Sequence, residues 1–324
     1  MRGVLAAVLL VAGCAPRPGP DGLVPTGGDT VAIVAVAREL SSDAMRGRGP
    51  WSAENEMAAR LLASQLDRLG ARPLFGKSLL VPFVAQARPQ DTVFNVVGVL
   101  PNRHGSVSGD LIGITAHLDH LGVGAPDASG DSIYNGFLDA ALPMAMVLDV
   151  ARRYARSPGD RALVVMFFNL EEQRLLGSKA LLERPDADAI VSRLRLLIGV
   201  DAGSPAGEAV EWQLMGGLPP HAGARLADSL ARVRGWTTTA AAARPISDVF
   251  LFSQKGVPIL FPIPGKRWKG YTESERDEAM KRFDHYHQPS DEWRADFPLV
   301  GTASYAEWLW TMVETASDRR TVLR

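Results

Sequence analysis

Cysteine is almost missing from this chain: Cys14 is the only one among 324 residues. No disulfide can form within the molecule, whichever compartment it occupies. An excess of either charge is missing too. Lys and Arg number 35 against 36 Asp and Glu, a net charge of −1, with both signs mixed along the chain. That balance argues against nucleic acid or an acidic polymer as partner. There is no internal repeat and no long low-complexity tract, so a repeat architecture is excluded. The apolar run at the N-terminus, Val4 to Ala12, is too short to remain in a bilayer as a spanning helix. What is present is a hydrophobic fraction of 46%, enough for a sizeable core. The length suits one large domain or two small ones.

The N-terminus reads as a targeting segment. Met1-Arg2 supplies a short positive region ahead of the apolar run, the pattern of a secretory signal. Cys14 follows Val11-Ala12-Gly13, which resembles the lipobox of bacterial lipoproteins. That resemblance implies cleavage before Cys14 and lipid on its thiol. The plainer reading is an ordinary signal cut near Ala15. Ala15 to Gly28 is rich in Pro and Gly and reads as a flexible tether. The expected division is a signal over 1–13, a tether over 14–30 and a folded domain over 31–324. The expected location is export with a lipid anchor in a bacterial membrane.

Periodicity predicts helices over Thr30 to Leu40, from Ser52 to Gly70, and over Asp139 to Tyr154 with Pro143 in its first turn. Further helices are predicted over Gln173 to Leu182, His221 to Val233 and Phe297 to Thr315. Strands are predicted at Phe94–Leu100, Leu111–Ala116, Ala162–Phe168, Leu196–Val200, Val210–Leu214 and Val257–Phe261. Alternating strands and helices predict an α/β domain of three layers, a mixed twisted sheet with helices on both faces. In such sheets the site lies beyond the carboxyl ends of the strands.

The titratable residues collect there. The run Ala116-His117-Leu118-Asp119-His120 ends one predicted strand, and Asn169-Leu170-Glu171-Glu172 follows another. Asp201 ends a third, Asp139 opens a helix, and His287 lies in Tyr286-His287-Gln288-Pro289-Ser290-Asp291. Two imidazoles and several carboxylates at strand ends are what a two-metal hydrolytic site requires. His117 and Asp119 share a side if the strand continues, so Asp119 could hold the imidazole of a ligating His117. Of Glu171 and Glu172, one carboxylate could bind metal while its neighbour takes a proton from water. Each residue also has a bland reading. Acidic groups are favoured at helix starts, Asp139 could cap a helix and Asp201 could end a strand. Only their joint occurrence carries the functional reading.

Together these segments resemble the co-catalytic two-zinc aminopeptidases, whose relatives include glutamate carboxypeptidase and the glutaminyl cyclases. The matching stretches run from Ala116 to Gly122, Ile133 to Asp139, Phe168 to Glu172, Val200 to Asp201 and Tyr286 to Asp291. Weaker similarity appears at Arg46-Gly47-Arg48-Gly49 and at Ser247-Asp248 before Gly256-Val257-Pro258. The resemblance implies that His117 and Asp201 bind one Zn²⁺, that Glu172 and His287 bind the other, and that Asp139 bridges them. It makes Glu171 the general base and Asp119 the orienting partner of His117. Three carboxylates against two Zn²⁺ leave a charge that one bridging hydroxide balances, and hydroxide is the nucleophile. The pattern departs at Ala140 to Pro143, where the family usually has Asn and then small residues, and at Val249, commonly His; neither is a ligand position. No stretch between Gly70 and Leu111 has room for an inserted protease-associated domain.

The implied activity is removal of the N-terminal residue from peptides. The alternatives are C-terminal trimming or glutaminyl cyclisation on the same fold, or zinc binding without catalysis. C-terminal trimming needs a cation for the substrate carboxylate, and Lys266 or Arg267 could serve. Both begin a charged insertion between Pro264 and Phe283, readable as a rim over the site or as a solvated loop.

Overall fold

Two apolar runs, Leu111–His117 and Ala162–Phe168, lie wholly buried side by side at the centre of the molecule. The computed structural model describes residues 30–201 and 206–323. Cys14, the signal segment and nearly all of the tether lie outside the described residues. The strands are β1 (Arg72–Pro73), β2 (Leu80–Val84), β3 (Thr92–Leu100), β4 (Leu111–His117), β5 (Gly122–Val123), β6 (Ile133–Tyr134), β7 (Ala162–Phe168), β8 (Leu194–Gly199), β9 (Glu211–Leu218), β10 (Thr237–Ala242) and β11 (Ile259–Pro264). The helices are α1 (Thr30–Leu40), α2 (Ala53–Arg68), α3 (Leu142–Arg156), α4 (Leu176–Leu182), α5 (Asp188–Val191), α6 (Ala222–Val233), α7 (Val249–Gln254), α8 (Glu273–Phe283) and α9 (Val300–Ser317).

The main sheet is mixed, in the order β1-β3-β7-β4-β8-β11-β9-β10, with β2 also paired to β3. Strands β7, β4, β8 and β11 are mutually parallel, so their carboxyl ends share one edge. Side chains alternate across the sheet. Ile112, Ile114, Leu163, Val165 and Phe167 enter a core shared with α1, α2, α3, α6 and α9. Leu111, Val164, Met166 and Phe168 face the opposite core, under α4, α5 and α7. This is the three-layer arrangement expected. The aromatic-rich last helix docks through Tyr305 and Trp308, whose rings lie 4.7 and 5.0 Å from that of Trp212. Such pairs add about 0.5–1.5 kcal/mol each beyond area burial.

Several local expectations hold and others shift. Ser52 caps α2, its hydroxyl accepting the Asn55 N–H at 3.0 Å. The helix expected from Asp139 begins only at Leu142, because residues Phe137–Ala141 form a separate turn with Asp139 extended at φ −121°, ψ 91°. The helix expected from Gln173 begins at Leu176, since Arg174 and Leu175 take left-handed backbone that ends regular pitch. β1, β2 and β10 carry little alternation and were not expected. The charged insertion forms α8, closed by a capping box between Thr272 and Glu275. Its Ala279, Met280 and Phe283 pack on the core, and Arg276 turns back to donate to the Lys266 carbonyl at 2.7 Å.

Candidate active site

Register brings the first group together. His117 pairs with Phe168, and Thr115 pairs with Gly199, so Asp201, two residues past Gly199, comes level with His117. His117 Nε2 lies 3.1 Å from Asp201 Oδ1 and 3.0 Å from Asp139 Oδ1. The other oxygen of Asp139 faces a second group. His287 Nε2 lies 3.1 Å from Asp139 Oδ2 and 3.1 Å from Glu172 Oε1. All five residues named as metal ligands from sequence thus converge. A sixth joins them: His120 Nδ1 lies 2.9 Å from Glu172 Oε1 and 3.7 Å from Asp139 Oδ2.

Several of these residues are held from behind. The Asp291 carboxylate accepts the N–H groups of Leu138 at 2.9 Å and Asp139 at 3.1 Å. Arg48, fully buried, donates to the carbonyls of Leu40, Leu118, Asn135 and Gly136 at 2.5–3.0 Å. One guanidinium therefore joins the end of α1, the chain after β4 and the Asp139 turn. Burial pulls its pKa down to about 10, against the pull of Asp139, Asp291 and Asp119. Arg48→Met should leave the carbonyls of Leu40, Leu118 and Asn135 without that donor inside the protein, while Gly136 keeps the Ala141 N–H at 3.2 Å. Each such group costs about 1–3 kcal/mol. The expected loss exceeds about 3 kcal/mol, read from the urea unfolding midpoint.

Glu171 and Glu172 follow Leu170, whose φ of 54° turns the chain sharply out of β7. Non-glycine residues held in that region collect at functional sites. The Asp119 carboxylate fastens the turn, accepting the N–H of Glu171 at 3.0 Å and of Glu172 at 3.2 Å. His117 Nδ1 lies 3.1 Å from the Asp119 carbonyl and 3.8 Å from its carboxylate. The orienting contact from Asp119 therefore runs through its backbone oxygen, and its side chain holds the neighbouring acidic pair.

The electrostatics are those of a cation site. Burial disfavours the charged form of His117, yet Asp201, Asp119 and Asp139 hold its pKa well above the ordinary range. Burial pushes the Glu171 carboxyl up to about 10, opposed by His117 and reinforced by Asp201, Asp248 and Asp119. Cations among those carboxylates would lower it again. The donor set fits zinc: mixed imidazole and carboxylate, buried except for the half-buried His287 and Glu172, with N···O separations of 2.9–3.1 Å. That spacing is close to the roughly 3.3 Å edge of a tetrahedron with bonds of about 2.0–2.1 Å. Two donor groups share one residue, His117–Asp139–Asp201 and His120–Asp139–Glu172–His287. Glu171 belongs to neither.

Neither cationic candidate makes a described contact with these donors. Arg267 is exposed, donates to Thr237 Oγ1 at 2.9 Å and lies 3.6 Å from Glu211. Lys266 lines a cavity of about 430 Å³ walled by Leu138, Ile263, Met280, Phe283 and Phe297. Sequence reasoning gave no role to His120, Arg48 or Asp291. His120 stood inside the motif, but β4 ends at His117, and side-chain parity carries no information beyond a strand.

Comparisons with known proteins identify the family and the fold. The model of peptidase family M28 matches residues 95–308, from within β3 to within α9. No curated protein matches the chain in sequence. Among solved structures, a zinc aminopeptidase from Bacillus subtilis is similar at 13% identity and TM-score 0.68, over 91% of this chain and 97% of that one. A Zn-dependent exopeptidase from Parabacteroides distasonis is similar at 15% identity and TM-score 0.65, over 90% and 99%. The glutaminyl cyclase of Porphyromonas gingivalis is similar at 16% identity and TM-score 0.66, over 89% and 98%. These likenesses speak to the fold, whereas the family match covers about two thirds of the sequence itself. On that match, the chain belongs to peptidase family M28, the co-catalytic zinc exopeptidases.

Proposed function

We propose that this protein is an aminopeptidase that releases the N-terminal residue of peptides, using two zinc ions and Glu171 as general base. The observation that carries the reading is Asp139, which presents one carboxylate oxygen to each donor group. His117, Asp139 and Asp201 would hold one ion, with Glu172, His287 and the same Asp139 holding the other. Zinc held by these residues would supply polarisation of the scissile carbonyl and a water acidic enough for attack near neutral pH.

The chain's own groups do the rest. Glu171 stands outside both donor groups, on the turn that the Asp119 carboxylate fastens. Its carboxylate takes the proton of the attacking water and returns it to the leaving amine nitrogen. Asp119 and Asp291 keep the acidic turn and the Asp139 turn in place, which limits the reorganisation needed at each turnover. Leu138 precedes Asp139 and walls the apolar cavity, so that cavity lies beside the donors and suits an apolar substrate side chain. Lys266 also lines it. A liberated-amine assay across aminoacyl and blocked peptides, with metal analysis, tests the reading. Release of free N-terminal residues is expected. Release from the carboxyl end, or pyroglutamate formation, would move the function to another reaction of this fold. Binding of zinc without turnover would leave a binding protein.

Export and lipid attachment at Cys14 belong to the same proposal and rest on the lipobox-like sequence and the tether. Among the described residues no helix is long and apolar enough to cross a membrane. One acyl chain anchors only weakly, so stable attachment needs more than one. Cys14→Ser is expected to move the protein from the membrane fraction to the soluble one. Unchanged fractionation would point to a different anchor.

A further inference from the structure

His120 is a buried imidazole that the aminopeptidase reading leaves without a task. Its side chain is fully shielded from solvent. Its Nε2 has no hydrogen-bond partner among the described residues. Among the described residues, the polar engagement of the ring is through Nδ1, which faces Glu172 Oε1 at 2.9 Å and Asp139 Oδ2 at 3.7 Å. His287 Nε2 addresses the same two oxygens, each at 3.1 Å. The two imidazoles meet edge to face, with centroids 5.6 Å apart and planes at 64°, so both nitrogens aim at one shared space. Gly136 keeps the ring there: a Cβ at that position would lie 2.6 Å from His120 Cδ2.

We propose that His120 is a fourth protein ligand of the metal position formed by Asp139, Glu172 and His287. The inference rests on the two-metal reading above and deepens it. It makes the two positions unequal. The His120 side carries two imidazoles and two carboxylates, a complete tetrahedral set. Among the described residues the His117 side has three protein donors, which leaves a coordination place for water or substrate. The first equivalent of metal should therefore enter the His120 side, and the second should bind more weakly.

The competing account is that Nδ1–H only donates to Glu172 and positions it. Asparagine separates the two, because its amide N–H stands near where Nδ1 stood and yet supplies no imidazole nitrogen. The experiment titrates the metal-free full-length protein with Zn²⁺ against a chromophoric chelator, and with Co²⁺ followed by visible absorption. Wild type should bind two ions in distinguishable steps. His120→Asn should weaken the tighter step by about 10²-fold or more, at or beyond what loss of a ligand's supporting partner does. It should also alter the first-step Co²⁺ spectrum and spare the weaker step. Asp201→Asn should do the reverse. Circular dichroism of both variants reports the fold. Unchanged affinities and an unchanged spectrum in His120→Asn would overturn the proposal and leave His120 a positioning residue. A wild type that binds one ion, lost in His120→Asn, would sink the two-metal reading and keep His120 as a ligand. A wild type that binds none would end both.

Discussion

Replacing Glu171 by Gln is expected to lower turnover by about 10²–10⁴-fold while zinc content and fold stay as they are. Glutamine keeps the shape of the side chain and removes the proton acceptor. Glu171 is absent from both donor groups, so no metal position loses a ligand. Its backbone N–H still reaches the Asp119 carboxylate, so the turn holds. Glu172→Gln should behave differently. Its Oε1 faces both His120 and His287, so that variant should lose one metal position first and activity with it. Zinc analysis beside peptidase rate separates the two cases. Loss of zinc in Glu171→Gln, or full activity with metal bound, would show that the roles of the pair are misassigned.

Removing Asp139 is expected to have the widest effect. Asp139→Ala takes one donor from each group at once, so bound zinc should fall from two ions to one at most and turnover to background. The Leu138 and Asp139 N–H groups keep their Asp291 acceptor, so the turn itself should persist. Metal removal from the wild type should show the same dependence in stability. An ion present at about 1,000 times its dissociation constant stabilises the folded state by about 4 kcal/mol. For a domain of this size that corresponds to a fall in Tm of roughly 10 °C on chelation. Asp139→Ala should show little further change on chelation. A variant that keeps two tightly held ions would mean that Asp139 does not bridge.

Much of this site was legible before any tertiary contact was known. β4 and β7 are short, continuous apolar runs, and such runs become central parallel strands because both of their faces must be buried. His117, Glu171, Glu172 and Asp201 follow such runs, and parallel strands put their carboxyl ends on one edge. Local pattern and one rule of α/β architecture were thus sufficient to group them. Asp139 and His287 were placed by family resemblance, since neither stands at the end of a strand.

The tertiary structure decided what local pattern cannot encode. His117 meets Asp201 across 84 residues and His120 meets Glu172 across 52, and only sheet register and turn geometry set those distances. Asp139 reads as a helix start, yet Arg48 and Asp291 hold its segment as a turn, because buried carbonyl and N–H groups must find partners wherever the chain packs. The charged stretch before His287 reads as loop, yet it becomes α8 because three apolar residues on one face meet the core. His120 lies three residues past the end of β4, where alternation has stopped and the direction of a side chain depends on the packing around it.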